Sequence, residues 1–165
     1  MCSSDLYGNR SLEPAPEAAT EDTIYDAASL TKVIATTTAV MRLVERGQLE
    51  LEAPVARYLP AFAQHGKDRI TVRHLMTHMS GLRPGIPAAP PRSGTAAAIE
   101  RACAEKPQNV PDAAFVYSDI NFIVLGELVR IAAGRPLDVY VREEIFGPLG
   151  LADTDRKSTR LNSVT

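Results

Sequence analysis

The sequence predicts a mostly α-helical domain, and three observations carry that expectation. Residues 33–44 form an apolar-faced run that stops at Gly47. Residues 120–133 form a nearly all-round apolar run that stops at Gly134. Extended character is confined to two short stretches, Thr23-Ile24-Tyr25 and Phe115-Val116-Tyr117, each leading into a helix. Apolar residues at helical spacing closed by glycine are helix signals, and two isolated β-prone triplets do not make a sheet.

In chain order, residues 12–21 are rich in Pro, Ala and Glu and read as loop. Asp26-Ala27-Ala28 leads into the first helix, where Val33, Thr37, Val40 and Val44 share one side and Ile34 and Met41 lie alongside. Thr36-Thr37-Thr38 lowers its intrinsic propensity, so tertiary packing has to hold it. Leu49, Leu51, Val55, Tyr58 and Leu59 follow as short apolar pegs. Residues 71–78 read as a helix with Thr71 as its cap, and residues 80–94 as a long Pro/Gly-rich loop. Residues 95–105 form a helix on alanine and isoleucine. Asp119 can cap the next helix, over 120–133. Pro136 opens the last, with Leu137, Tyr140, Val141 and Ile145 inward and Gly147-Pro148 closing it.

A length of 165 residues suits one domain with a real core. A net charge of −2, with scattered Lys and Arg and few aromatics, gives no nucleic-acid or polybasic membrane signal. No apolar run approaches the roughly 20 residues that span a bilayer. Cys2 and Cys103 make neither a disulfide framework nor a Cys-x-x-Cys metal pair, and Cys103 reads as a small buried residue. Residues 1–11 and 155–165 break the orderly pattern and read as non-native flanks, leaving 12–154 as the partial domain.

Ser29-Leu30-Thr31-Lys32 stands where an ordinary residue can become a nucleophile. Positions i and i+3 share a helix face, so the Ser29 hydroxyl and Lys32 ammonium point the same way. A helix N-terminus and burial both favour a neutral amine, a general base beside a nucleophile. The plain alternative is a helix-start serine followed by a solvated lysine. Tyr117-Ser118-Asp119 falls just before a buried helix, so its polar groups can be held rigidly and still face a cleft. Its plain alternative is a core tyrosine followed by a capping aspartate.

His74 and His78 sit on one helical face, but Leu75 stands where a metalloprotease helix carries Glu, and nothing fixes His65 nearby. Packing and hydrogen bonding of a turn is the preferred reading, and neither metal nor cofactor is expected. Glu143-Glu144 reads as a solvated helix face. No phosphate-cradling glycine loop and no Gly-x-Ser-x-Gly elbow occurs.

Taken in order, four stretches resemble the penicillin-recognising serine hydrolases, specifically the class C β-lactamase-like branch. They are Ala28-Ser29-Leu30-Thr31-Lys32; Gly47-Gln48-Leu49 with Val55-Ala56-Arg57-Tyr58-Leu59-Pro60; His74-Leu75-Met76-Thr77-His78-Met79-Ser80-Gly81-Leu82; and Phe115-Val116-Tyr117-Ser118-Asp119 with Gly126 beyond. Ile145-Phe146-Gly147-Pro148-Leu149-Gly150-Leu151 is similar to the next element of that branch, and the likeness covers residues 23–154. The branch includes β-lactamases, D-alanyl-D-alanine carboxypeptidases and β-lactamase-like esterases.

This resemblance implies the helical subdomain of the α+β serine β-lactamase/penicillin-binding-protein fold, with most of the α/β sheet half missing. It implies Ser29 as the acylated nucleophile, Lys32 as its activator and Tyr117 as the proton shuttle. Asp119, the substrate-binding position, replaces the usual Asn. An ionised Asp accepts but cannot donate, and it can pair with Lys32 and hold it charged. An alternative frame reads Ser118-Asp119-Ile120 as a class A Ser-Asp-Asn element with Ile120 in place of Asn. The third motif, Lys or His before Thr/Ser-Gly, is absent from these residues.

The expected activity is hydrolysis of an ester or a D-amino-acid peptide through an acyl-enzyme, rather than true β-lactam hydrolysis, with the piece inactive alone. The expected partner is a small-molecule or peptidoglycan-like peptide substrate. The compartment stays open, and a periplasmic or extracellular full-length protein fits the family. The rival reading is a non-catalytic relative that binds cell-wall peptide or a partner.

Overall fold

The structure is a computed structural model that describes residues 6–86 and 94–154. The flanks at 1–5 and 155–165, and residues 87–93 of the long loop, lie outside the described residues. The architecture is helical around one long central helix, α4 (Asp119–Ala133). Against it pack α1 (Thr38–Glu45), α2 (Val72–Met76), α3 (Thr95–Ala104) and α5 (Leu137–Val141). Ile120, Val124, Leu125, Leu128 and Val129 of α4 are fully buried, as an all-round apolar helix requires. Val40 and Leu43 of α1, Val72 and Leu75 of α2, and Tyr140 and Val141 of α5 close the core around them.

The first helix departs from its expected periodicity. A π-helical stretch, Lys32–Thr37, precedes α1 and puts an extra residue into the turn. The buried side is therefore Ala35, Thr36, Ala39, Val40 and Leu43, while Val33, Ile34 and Met41 are exposed. A face assigned at 3.6 residues per turn is rotated away wherever the turn is wider. The end of α1 follows expectation. Gly47 sits at φ 70°, its N–H donates to the Val44 carbonyl at 2.9 Å, and the Gln48 N–H donates to Leu43 at 2.8 Å. That is the double bond that lets glycine end a helix.

The two β-prone triplets form no strands among the described residues. Ile24 and Tyr25 are exposed. Instead β1 (Asn9–Ser11) and β2 (Glu17–Ala18) pair antiparallel, within the segments read as flank and loop. Residues 51–55 run beside 70–73 and exchange bonds, Val55 N–H to Ile70 at 2.8 Å and Arg73 N–H to Leu51 at 2.9 Å. Between them, 3₁₀ turns over Pro60–Arg69 bury Phe62 and Lys67, which the sequence reading passed over. The Lys67 ammonium lies 2.7 Å from the carbonyl of Cys103 and also meets that of Glu105, so it satisfies the C-terminal end of α3.

α5 runs on into a second π-helical stretch, Arg142–Phe146, as the Pro136 and Gly147-Pro148 signals anticipate. Glu144 in it meets Arg46 at 2.7 Å and also Arg135, so this carboxylate ties the last helix to the first rather than facing water alone. Cys103 is buried and free, and burial pushes its thiol up. No helix among the described residues is long and apolar enough to cross a membrane.

Candidate active site

Three chain segments converge beside the N-terminal end of α4. The first presents Ser29. The Ala28 N–H donates to Asp26 Oδ1 at 2.8 Å, and Ala28 itself sits at φ 42°, in the left-handed region. This sharp turn sets exposed Ser29 at the mouth of the helical segment. Three short i→i+3 bonds follow, ending with the Lys32 N–H to the Ser29 carbonyl at 3.0 Å. That tight turn brings Lys32 Nζ to 3.2 Å from Ser29 Oγ, as the i, i+3 spacing requires.

The second segment presents Tyr117, and the backbone around it is pinned at four points. Val116 N–H donates to the His78 carbonyl at 3.0 Å and Asp119 N–H to that of Pro84 at 2.7 Å. Ser118 N–H donates to His78 Nδ1 at 3.1 Å, and its hydroxyl to the Arg83 carbonyl at 2.6 Å. Ser118 is fully buried by these bonds, so Tyr117, not Ser118, faces the serine. Lys32 Nζ stands 5.1 Å from the centre of the Tyr117 ring, and the phenol is coupled to both the Ser29 and Lys32 side chains.

The third segment, residues 78–84, is the clamp that supplies those acceptors. Gly81 is at φ 78°, and a Cβ there would stand 2.0 Å from the Asn109 carbonyl oxygen, so only glycine fits the reversal. His74 is elsewhere. It completes a capping box with Thr71, its Nδ1 accepting the Thr71 N–H at 3.0 Å and its Nε2 lying 3.0 Å from Asp112. His65 is exposed on the 3₁₀ turns. The two neighbouring imidazoles thus serve different turns.

Asp119 does not cap α4 as the sequence suggested. It occupies the first turn, and its Oδ1 takes Lys32 Nζ at 2.7 Å, with the lysine side chain 16% and the aspartate 43% exposed. Burial pushes the Lys32 ammonium down. The hydrogen bonds and charges of Asp119 and Tyr117 together overcome it, so the group is held above its ordinary value and stays charged. Bonds from Ser29 and then Lys32 hold the Tyr117 phenol below its ordinary value. The arrangement therefore sets an exposed serine hydroxyl beside a persistent cation and a phenol held below its ordinary value.

The β-lactamase family model matches residues 5–161 of this chain. The chain belongs to that family. Among curated β-lactamase-family relatives, a protein of Escherichia coli (strain K12) with the provisional name D-alanyl-D-alanine carboxypeptidase is 33% identical, over 90% of this chain and 37% of its own length. The chain thus spans little more than a third of such relatives. A D-stereospecific amidohydrolase from Streptomyces sp. superimposes with a TM-score of 0.70 at 27% identity, over 82% of this chain and 46% of that one. A D-amino acid amidase from Ochrobactrum anthropi SV3 gives 0.69 at 28%, over 82% and 38%. The fold is thus a helical part of the β-lactamase and penicillin-binding-protein fold.

The sequence reading named Ser29, Lys32, Tyr117 and Asp119, and the structure brings all four together. That reading gave His78 the packing and hydrogen bonding of a turn, as the structure has it, but not its link to Tyr117, and it passed over Asn121, which with Ser80 holds the second segment in place. The signal available was position: His78 and Ser80 lie inside His-Met-Ser-Gly, within one of the four stretches that carry the family resemblance.

Proposed function

We propose that this chain is the nucleophile-bearing part of a serine hydrolase that acts through an acyl-enzyme on an amide, lactam or ester carbonyl. The observation that carries this reading is the cluster of Ser29, Lys32 and Tyr117, with Oγ 3.2 Å from Nζ and Nζ 5.1 Å from the centre of the phenol ring. Asp119 keeps Lys32 an ammonium, so the proton acceptor is the Tyr117 phenolate, which that ammonium stabilises. Ser29 Oγ attacks the carbonyl carbon while its proton passes to the phenolate. Tyr117 then protonates the departing nitrogen or oxygen as the carbonyl–leaving-group bond breaks. Water attacks the Ser29 ester, gives its proton to the phenolate, and that proton returns to Ser29 Oγ as the acid leaves. Splitting one hard displacement into two is the gain of covalent catalysis.

The reading extends to the substrate: an ester or D-amino-acid amide ahead of a β-lactam. Asp119 supports it, because its carboxylate cannot donate to a substrate carbonyl but has a second oxygen to accept an N–H. The carboxypeptidase and amidase names of the relatives above point the same way. These 165 residues contain no Lys or His followed by Thr/Ser-Gly. The reading therefore expects this chain by itself to lack an oxyanion donor and turn over about 100- to 1,000-fold more slowly than a complete family member.

The test is active-site labelling of the full-length protein with a fluorophosphonate or a penicillin, followed by peptide mapping. An adduct on Ser29 that disappears in Ser29→Ala is expected. Absence of any adduct with both probes overturns the reading, and a chromogenic cephalosporin turned over faster than short esters and D-alanyl peptides overturns its substrate part.

A further inference from the structure

His78 stands outside the proton path but touches every part of the second segment. Its backbone is at φ 59°, a left-handed position, and its side chain is buried. The ring lies against that of Tyr117 with centroids 4.6 Å apart, and Phe122 of α4 stands 5.2 Å away. A backbone N–H can only donate, so the Ser118 N–H at 3.1 Å makes Nδ1 an acceptor without a proton. The neighbouring amide agrees. Leu82 N–H donates to Ser80 Oγ at 3.2 Å, and the Ser80 hydroxyl donates to Asn121 Oδ1 at 2.6 Å. Asn121 therefore turns its NH₂ toward the same Nδ1, at 3.3 Å. Two donors on one nitrogen fix the neutral tautomer with its proton on Nε2.

We propose that His78 is a positioning residue for Tyr117: its unprotonated Nδ1 accepts the Ser118 N–H and so holds the phenol against Ser29 and Lys32. Burial, and then the Lys32 charge, push the His78 imidazolium down, against a smaller upward pull from Asp119, so the acceptor is present at neutral pH. The kinetic part of this inference rests on the serine-hydrolase reading above, and the geometric part does not.

Two substitutions isolate the acceptor, because glycine and asparagine both tolerate the left-handed backbone. His78→Gly removes the acceptor. His78→Asn places Oδ1 where Nδ1 stood and loses only the ring. In full-length protein whose circular dichroism is unchanged, ¹³C-tyrosine NMR, assigned with Tyr117→Phe, follows the Tyr117 titration. The midpoint is expected to rise toward that of a free tyrosine in His78→Gly and to stay low in His78→Asn. Ester kcat is expected to fall about 100-fold in His78→Gly with KM little changed, the cost of a misplaced catalytic group. An unmoved titration in His78→Gly, or an equal rise in both variants, overturns the positioning role. Loss of Ser29 labelling in the unsubstituted protein overturns the hydrolase reading instead and leaves the titration readable.

Discussion

Asp119→Asn is the substitution that separates a charged Lys32 from a neutral one. The ion pair spans 2.7 Å, with one partner mostly buried and the other half exposed. Opposite unit charges about 4 Å apart are worth about 1 kcal/mol in water and about 4 kcal/mol at a protein-like dielectric. Solvent reaching the aspartate leaves about 1 to 2 kcal/mol for the pair. Lys32 is held above its ordinary value in part by Asp119, so removing that charge lowers it. The Asp119 charge also holds the Tyr117 phenol up, so its loss lets the phenol ionise at lower pH.

In the pH dependence of kcat/KM, activity rises as the cluster loses the phenol proton and falls as it loses the ammonium proton. The macroscopic values belong to the cluster rather than to single residues. Both limbs should therefore move to lower pH in Asp119→Asn. The assay is chromogenic ester hydrolysis by the full-length protein across the accessible pH range. Limbs that stay in place, or an alkaline limb that moves up, would refute a lysine held charged by Asp119.

Two further outcomes concern the scaffold. Gly81→Ala drives a Cβ into the Asn109 carbonyl at a left-handed backbone position, and should destabilise the protein by at least about 2 kcal/mol in urea unfolding. Lys67→Met keeps the buried stem but leaves the Cys103 and Glu105 carbonyls unpaired. Its urea midpoint should drop by the equivalent of about 1 to 3 kcal/mol, with the slope unchanged.

Much of the site was legible because its chemistry is local or sits at helix starts. Ser29 and Lys32 are three residues apart on one helical turn, and Tyr117 and Asp119 flank the start of the most apolar helix in the chain. The burial of α4 followed from its nearly all-round apolar run, and the buried face of α5 from ordinary helical spacing. The outward turn of Val33, Ile34 and Met41 did not, because the wide π turn over Lys32–Thr37 breaks the period that such readings assume. Asp119 was seen both as a cap and as a partner for Lys32, and only the second is realised. The buried Lys67 and the acceptor role of His78 depend on backbone groups some 40 positions away. Side-chain identity carries no signal for a contact of that kind.

The four bonds that fasten residues 116–119 to residues 78–84 also act as a splice. They set the register of the phenol directly from residues 78–84, across the whole intervening stretch, rather than through the chain that leads up to it.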